Sequence, residues 1–86
     1  MAVVKHDDGY YYDIATHNIR KYRLEKKYTQ QRLADETDLS LDFIAEIESV
    51  KRKKSFSIAT LGRIADVLNI DINLFFKKHN DKIKKQ

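Results

Sequence analysis

Residues 29–48, with the sequence TQQRLADETDLSLDFIAEIE, contain the pattern that decides the fold. Their apolar residues recur at the three- and four-residue steps of α-helices. Leu33 and Ala34 fall in a first short helix, where the small Ala34 allows a second helix to approach closely. Ile44 and Ile47 fall in that second helix. Helical spacing directs these side chains inward and leaves polar residues outside, which predicts two short amphipathic helices.

The connection between the two helices carries the residue types of a tight turn. Asp38 falls where the turn needs a left-handed backbone, which Asp tolerates better than most residues. Leu39 lies at the turn itself. Ser40 follows as an N-cap, because its hydroxyl can accept a hydrogen bond from the amide of Asp42 or Phe43. Together these features predict a helix-turn-helix.

Further helices are predicted on both sides of this motif. A first helix runs from residue 12 or 13 to residue 26 or 27, with Asp13 or Thr16 as its cap and Tyr28 packed over the junction to the Thr29 cap of the next helix. Its inward stripe consists of Ile14, Ala15, Ile19 and Tyr22.

Downstream, Ser57 caps a fourth helix and Asn69 ends it, while Asp71 caps a fifth helix over residues 72–79. Phe56 is expected to fold back onto the core. The inward stripe of the fourth helix consists of Ile58, Leu61, Ile64, Ala65 and Leu68.

The chain resembles the Cro/C1 (XRE-like) family of helix-turn-helix DNA-binding proteins from about residue 14 to residue 76. The resemblance implies an all-α, compact five-helix lambda-repressor-like domain, which we place at residues 13–79. Two positions depart from the family pattern, because Asp38 replaces the usual turn glycine and Thr37 replaces an apolar residue; both predict a looser turn. Four segments carry the resemblance: IRKYR (19–23), TQQRLA (29–34), IAEIE (44–48) and SIATL (57–61).

Outside this domain, residues 1–12 are expected to form a flexible leader, or alternatively an arm on a partner subunit. Residues 80–86 are expected to form a disordered Lys-rich tail.

The chain of 86 residues has room for one core. It has no Cys, which excludes disulfides and thiolate metal sites. No membrane span or signal peptide is visible, so we expect a cytoplasmic protein. We also expect no cofactor, no metal and no small-molecule substrate.

The charge of the chain is unevenly distributed. The net charge of +4 and the pI near 9.3 favour an anionic partner, although a merely soluble surface explains them as well. Residues 29–50 carry one Arg against six Asp and Glu, a net charge of −5, whereas residues 51–54 are all basic. The helix-turn-helix is therefore acidic and its flanks are basic.

These patterns predict a DNA interface, in which the second helix of the motif lies in the major groove. Its base-reading candidates are Ser40, Leu41, Asp42, Phe43 and Glu46. Alternatively, Phe43 is partly core and Glu46 only pairs with an Arg. The phosphate-binding candidates are Gln30, which resembles the phosphate-clamping glutamine of the family, and Ser49, Lys51, Lys53 and Lys54. Alternatively, the Lys block is a solvated loop.

Two structural roles complete the candidate site. By resemblance to phage repressors of the family, Arg23 and Glu48 are expected to form an ion pair. Leu74, Phe75 and Phe76 are too many large apolar residues for one stripe of a terminal helix, which predicts a dimer interface.

No catalytic constellation is visible, so the chain is not expected to be an enzyme. The sequence favours a sequence-specific DNA-binding transcriptional regulator, such as a repressor, that acts as a homodimer on a two-fold symmetric operator. The alternative is an antitoxin-like protein-interaction module that uses its acidic helix.

Overall fold

The computed structural model describes residues 9–49, 51 and 55–78. These residues form four α-helices and a C-terminal 3-10 helix, with no strand among them. The helices are α1 (Gly9–Glu25), α2 (Gln30–Thr37), α3 (Leu41–Ile47), α4 (Ile58–Leu68) and the 3-10 helix Ile72–Phe76. The all-helical fold is confirmed, although the fifth helix is shorter than predicted and of the 3-10 type. Most of the predicted leader and the whole predicted tail lie outside the described residues.

The first helix begins earlier than predicted, at Gly9. Asp13 and Thr16 therefore lie inside α1, and their predicted role as its cap is wrong. A tertiary contact accompanies the extra turn, since the Tyr12 ring packs edge-on against Phe56 with 5.1 Å between ring centroids. The same contact holds Phe56 against the core, as predicted.

The predicted caps of the other helices are confirmed. Thr29, Ser40 and Ser57 each accept a hydrogen bond from the backbone N–H three residues ahead, at 3.0 Å. Asn69 ends α4 in the left-handed conformation, with φ of 58°. Asp71 caps the 3-10 helix by accepting from the Asn73 N–H at 2.9 Å. These caps depend on neighbouring residues only, which is why local sequence reveals them.

The turn between α2 and α3 is closed by backbone and side-chain hydrogen bonds. Asp38 is left-handed, as predicted, with φ of 62° and ψ of 33°. The Leu39 N–H donates to the Ala34 carbonyl at 3.0 Å. Thr37 is buried, but its hydroxyl donates to the Leu33 carbonyl at 2.6 Å, so the polar atom that replaces an apolar group is satisfied.

One core joins the helices. Two residues of the predicted stripes lie outside it, since Ile14 of α1 is only half-buried and Ile58, the first residue of α4, is 78% exposed. The buried core consists of Ile19, Leu33, Ala34, Ile44, Ile47, Leu61, Ile64, Ala65, Leu68 and Phe75.

The prediction that Phe75 belongs to a dimer interface is wrong. Phe75 is fully buried in the core, while Leu74 is half-buried and Phe76 is 44% exposed. A 3-10 helix has three residues per turn, so consecutive side chains point in three different directions and only one of them faces α1. Asn18 of α1 fixes this orientation, because its Nδ2 donates to the carbonyls of Phe75 and Lys77, both at 2.8 Å.

Candidate nucleic-acid interface

The N-terminal half of α3 presents its outward side chains to solvent. Leu41 is 40% exposed, and Asp42 and Ala45 are also exposed. The cap at Ser40 and the buried Ile44 orient α3 so that these three side chains face away from the core. Asp42 and Glu46 lie one helical turn apart, as expected, and with Ala45 and Ser49 they line an open groove beside α3.

The other predicted base-reading residues are less accessible. Phe43 is half-buried and packs against the core, and Glu46 is half-buried. The Ser40 hydroxyl already accepts a hydrogen bond from the Phe43 N–H, although its own hydrogen can still be donated. The face of α3 that a ligand can reach is therefore formed chiefly by Leu41, Asp42 and Ala45.

Arg23 and Glu48 form a bidentate ion pair at the C-terminal end of α3. The Arg23 Nε donates to Glu48 Oε2 at 2.7 Å, and the Arg23 Nη2 donates to Glu48 Oε1 at 2.9 Å. Arg23 also donates through Nη1 to the Tyr28 carbonyl at 2.7 Å. Both side chains are more than nine-tenths buried, with 7% and 2% exposed. The pair joins the last turn of α1 to the residue that ends α3.

Gln30 belongs to the same network, which the sequence did not reveal. Its Nε2 donates to Glu48 Oε1 at 3.1 Å. Gln30 is the first residue of α2 and is half-buried. Gln30 and Glu48 are 18 positions apart in sequence, so no local sequence pattern links them.

The connection from α3 to α4 carries the basic block. Lys51 is exposed, and Ser49 is half-buried. Lys53 and Lys54 lie outside the described residues. The first helix holds both ends of this connection, since the Thr16 hydroxyl donates to the Ile47 carbonyl at 2.9 Å and the Tyr12 hydroxyl donates to the Phe56 carbonyl at 3.3 Å. The four-residue spacing of Tyr12 and Thr16, which puts both on one face of α1, was the only sequence signal of this arrangement.

Ion pairs with arginines offset part of the negative charge of the helix-turn-helix. Arg32 lies over the Tyr28 ring, 3.9 Å from its centroid, and its Nε donates to Glu36 Oε2 at 2.8 Å. The Tyr28 hydroxyl donates to the other oxygen of Glu36 at 3.0 Å. Hydrogen bonding by Arg32, followed by that from Tyr28, lowers the pKa of Glu36, and the bond to Glu36 raises the pKa of Arg32. Glu48 pairs with Arg23 in the same way, so two of the six acidic side chains of the motif, Glu36 and Glu48, lie against an arginine.

The comparison of the sequence with protein families places this geometry in context. A sequence profile described as helix-turn-helix matches residues 19–75, which is more than half of the chain. The chain belongs to the XRE-type helix-turn-helix family. The matched span begins in α1 and ends in the 3-10 helix, so it contains the ion pair, the turn and the outward face of α3.

A solved structure shares the fold. The crystal structure of the hypothetical transcription factor NHTF from Neisseria superposes with a TM-score of 0.75 and 15% sequence identity, covering 100% of this chain and 97% of that one. No curated protein matches the chain in sequence. None of the described helices is long and apolar enough to cross a membrane. Within residues 9–49, 51 and 55–78, no three His, Cys, Asp or Glu side chains are grouped to hold a metal ion.

Proposed function

We propose that the chain is a sequence-specific DNA-binding transcriptional regulator that acts by binding and not by catalysis. The exposed face of α3 carries the proposal. The left-handed turn and the Ser40 cap set α3 against α2, and they leave Leu41, Asp42 and Ala45 free to enter a major groove. Family membership supports this choice, because helix-turn-helix proteins insert their second helix into that groove.

The base-reading roles follow from side-chain chemistry. Leu41 contacts a thymine methyl group, and Asp42 accepts a hydrogen bond from a cytosine amino group. Glu46, one turn further along α3, reaches the next accessible base edge or is neutralised by a cation. Ser40 donates through its hydroxyl, while Phe43 mainly anchors α3 on the core.

Phosphate contacts supply most of the affinity in this proposal. Gln30 begins α2, and Ser49 and the basic block follow α3 in the chain. About six to eight contacts per complex make binding fall steeply with added salt. The contributing residues are Gln30, Ser49, Lys51, Lys53 and Lys54.

A homodimer on a two-fold symmetric operator completes the proposal. Phe76 is the largest exposed apolar side chain of the 3-10 helix, and Leu74, two residues earlier, is half-buried. Pairing across a two-fold axis would bury Phe76. Occupancy of the operator then follows the protein's own cytoplasmic concentration.

Selection from a random duplex pool, followed by fluorescence anisotropy, tests the proposed function. The full chain is titrated into the selected duplex and into a scrambled duplex of equal length, at two salt concentrations. We expect the selected site to bind at least about 10³-fold more tightly than the scrambled one. Equal affinity for both duplexes, or no binding at low salt, would contradict sequence-specific recognition.

The acidic surface favours a second candidate function, an antitoxin-like protein-interaction module. Asp35, Asp38 and Asp42 are exposed on α2, the turn and α3, and such a surface suits a basic partner protein. The salt series separates the two functions. DNA binding that is absent at every salt concentration would favour the protein partner.

A further inference from the structure

We propose that Glu48 is a positioning residue that orients Gln30 for its phosphate contact; this rests on the proposed DNA-binding function. One oxygen of the Glu48 carboxylate bonds both Arg23 and Gln30. Glu48 Oε1 accepts from Arg23 Nη2 at 2.9 Å and from Gln30 Nε2 at 3.1 Å. The buried ion pair therefore does more than join α1 to α3, because it also holds the first side chain of α2.

The carboxylate is itself held in place. Its other oxygen accepts from Arg23 Nε at 2.7 Å, and its side chain is only 2% exposed. Arg23 is anchored in turn, because its third donor bonds the Tyr28 carbonyl two residues before Gln30. Gln30 thus meets an acceptor whose position is fixed from α1, from α3 and from the segment that leads into α2.

The chemistry of the amide explains the consequence for phosphate binding. A carboxylate accepts hydrogen bonds only, so it selects the nitrogen of the Gln30 amide and determines which way the group is turned. The amide has two N–H groups, and the bond to Glu48 uses one of them. The second remains to donate to a phosphate oxygen. Arg23 neutralises the carboxylate, so that Glu48 orients Gln30 without repelling the phosphate.

A double-mutant cycle on DNA affinity tests the coupling. Gln30→Ala is measured in the native chain and in a chain with Arg23→Met and Glu48→Met, whose apolar side chains replace the buried pair. We expect Gln30→Ala to weaken binding about tenfold in the native background, as for a lost hydrogen bond to a charged group, and less than about threefold in the Met background. The same factor in both backgrounds, or no effect in the native chain, would overturn the proposal.

Gln31 provides a matched control. It is the neighbouring glutamine of the same helix, but its Nε2 donates to the exposed Asp35 at 2.8 Å and not to the buried pair. Gln31→Ala should leave DNA affinity unchanged in both backgrounds. A loss equal to that of Gln30→Ala would show that any change at the start of α2 weakens binding, and it would remove the role of Glu48.

If the variant with Met at positions 23 and 48 does not fold, hydrogen exchange in the absence of DNA tests whether Glu48 holds the Gln30 amide. In the free native chain, the Gln30 side-chain amide proton that bonds the buried Glu48 should exchange with water more slowly than the proton of Gln31 that bonds the exposed Asp35, and Glu48→Gln should shift the Gln30 signals. Fast exchange at Gln30 overturns the proposal. If the native chain binds no duplex while the Gln30 amide is protected, the DNA function fails and the orienting bond to Glu48 stands.

Discussion

Asp42 faces the solvent where a major groove would lie, so its charge decides between the two candidate functions. A carboxylate beside DNA phosphates is repelled unless it accepts a hydrogen bond from a base or meets a cation. If Asp42 reads a cytosine, Asp42→Ala should cost about 1–3 kcal/mol of binding free energy on the best site. It should also relax the preference at one base pair of each half-site. Anisotropy with the selected duplex and its single-base variants measures both effects.

Asp35→Ala is the control for charge alone, since it removes an exposed carboxylate from α2. It should change the affinity for all duplexes by the same small factor. If Asp42→Ala and Glu46→Ala both tighten binding to every sequence, neither residue reads a base, and the interaction-module alternative gains weight.

Also at the residue scale, the Arg23–Glu48 pair should be costly to break. Glu48→Leu leaves the Arg23 guanidinium buried without its partner, which should lower the free energy of unfolding by about 3–5 kcal/mol. Replacing both residues by Met should change it far less, because no charge is left buried. Urea unfolding followed by circular dichroism measures both variants.

The exposed ion pair of α1 is the matched control for this stability. Lys21 Nζ lies 3.1 Å from Glu25 Oε2, but 55% of the Glu25 side chain is exposed. Glu25→Ala should cost about 0.5 kcal/mol or less. An equally small cost for Glu48→Leu would mean that water reaches the Arg23 site.

At the scale of elements, the left-handed backbone of Asp38 destabilises the turn between α2 and α3, and a glycine at this position would relieve the strain. Asp38 is left-handed, a conformation that glycine adopts without steric penalty. Asp38→Gly should therefore raise the free energy of unfolding by up to about 1 kcal/mol. In contrast, Asp35→Gly inside α2 should lower it by a similar amount. Thermal unfolding of both variants tests the pair, and a loss of stability in Asp38→Gly would show that the Asp side chain contributes to the turn.

The basic block between α3 and α4 should determine how strongly DNA affinity depends on salt. Lys51→Ala combined with Lys53→Ala should weaken binding to all duplexes alike. It should also reduce the slope of log K against log salt by about two, since each lost phosphate contact contributes about 0.9. Base preference should stay the same. An unchanged slope in the double variant would identify the basic block as a solvated loop.

At the scale of the whole molecule, the exposed apolar group of the 3-10 helix predicts self-association. Burying a Phe side chain contributes about 1.5–3 kcal/mol, so two Phe76 residues paired across a two-fold axis contribute up to about 6 kcal/mol of the roughly 8 kcal/mol that a micromolar dimer requires. Phe76→Asp should give monomers in sedimentation experiments without unfolding the chain. Ile58→Asp, which changes an apolar residue that is 78% exposed on α4, should leave the dimer intact. A native chain that is monomeric at tens of micromolar would contradict the dimer.

The sequence by itself determined the parts of the structure that depend on near neighbours. Ser40 and Thr29 could be identified as caps because a cap bonds an amide three residues away. Asp38 could be identified as left-handed because few residue types tolerate that backbone. The apolar periods of α2 and α3 selected the inward faces, and hence also the outward face of α3 on which the proposed site lies.

Only the tertiary structure decided which distant groups meet. Asn18 bonds a carbonyl 57 residues away, which turns Phe75 into the core and leaves Phe76 outside, although both read alike as apolar residues. Glu48 joins Gln30 to Arg23 across three helices for the same reason. A hydrogen bond between residues far apart in sequence requires both backbones to be in place, and their relative position follows from the packing of the whole core, not from a local pattern.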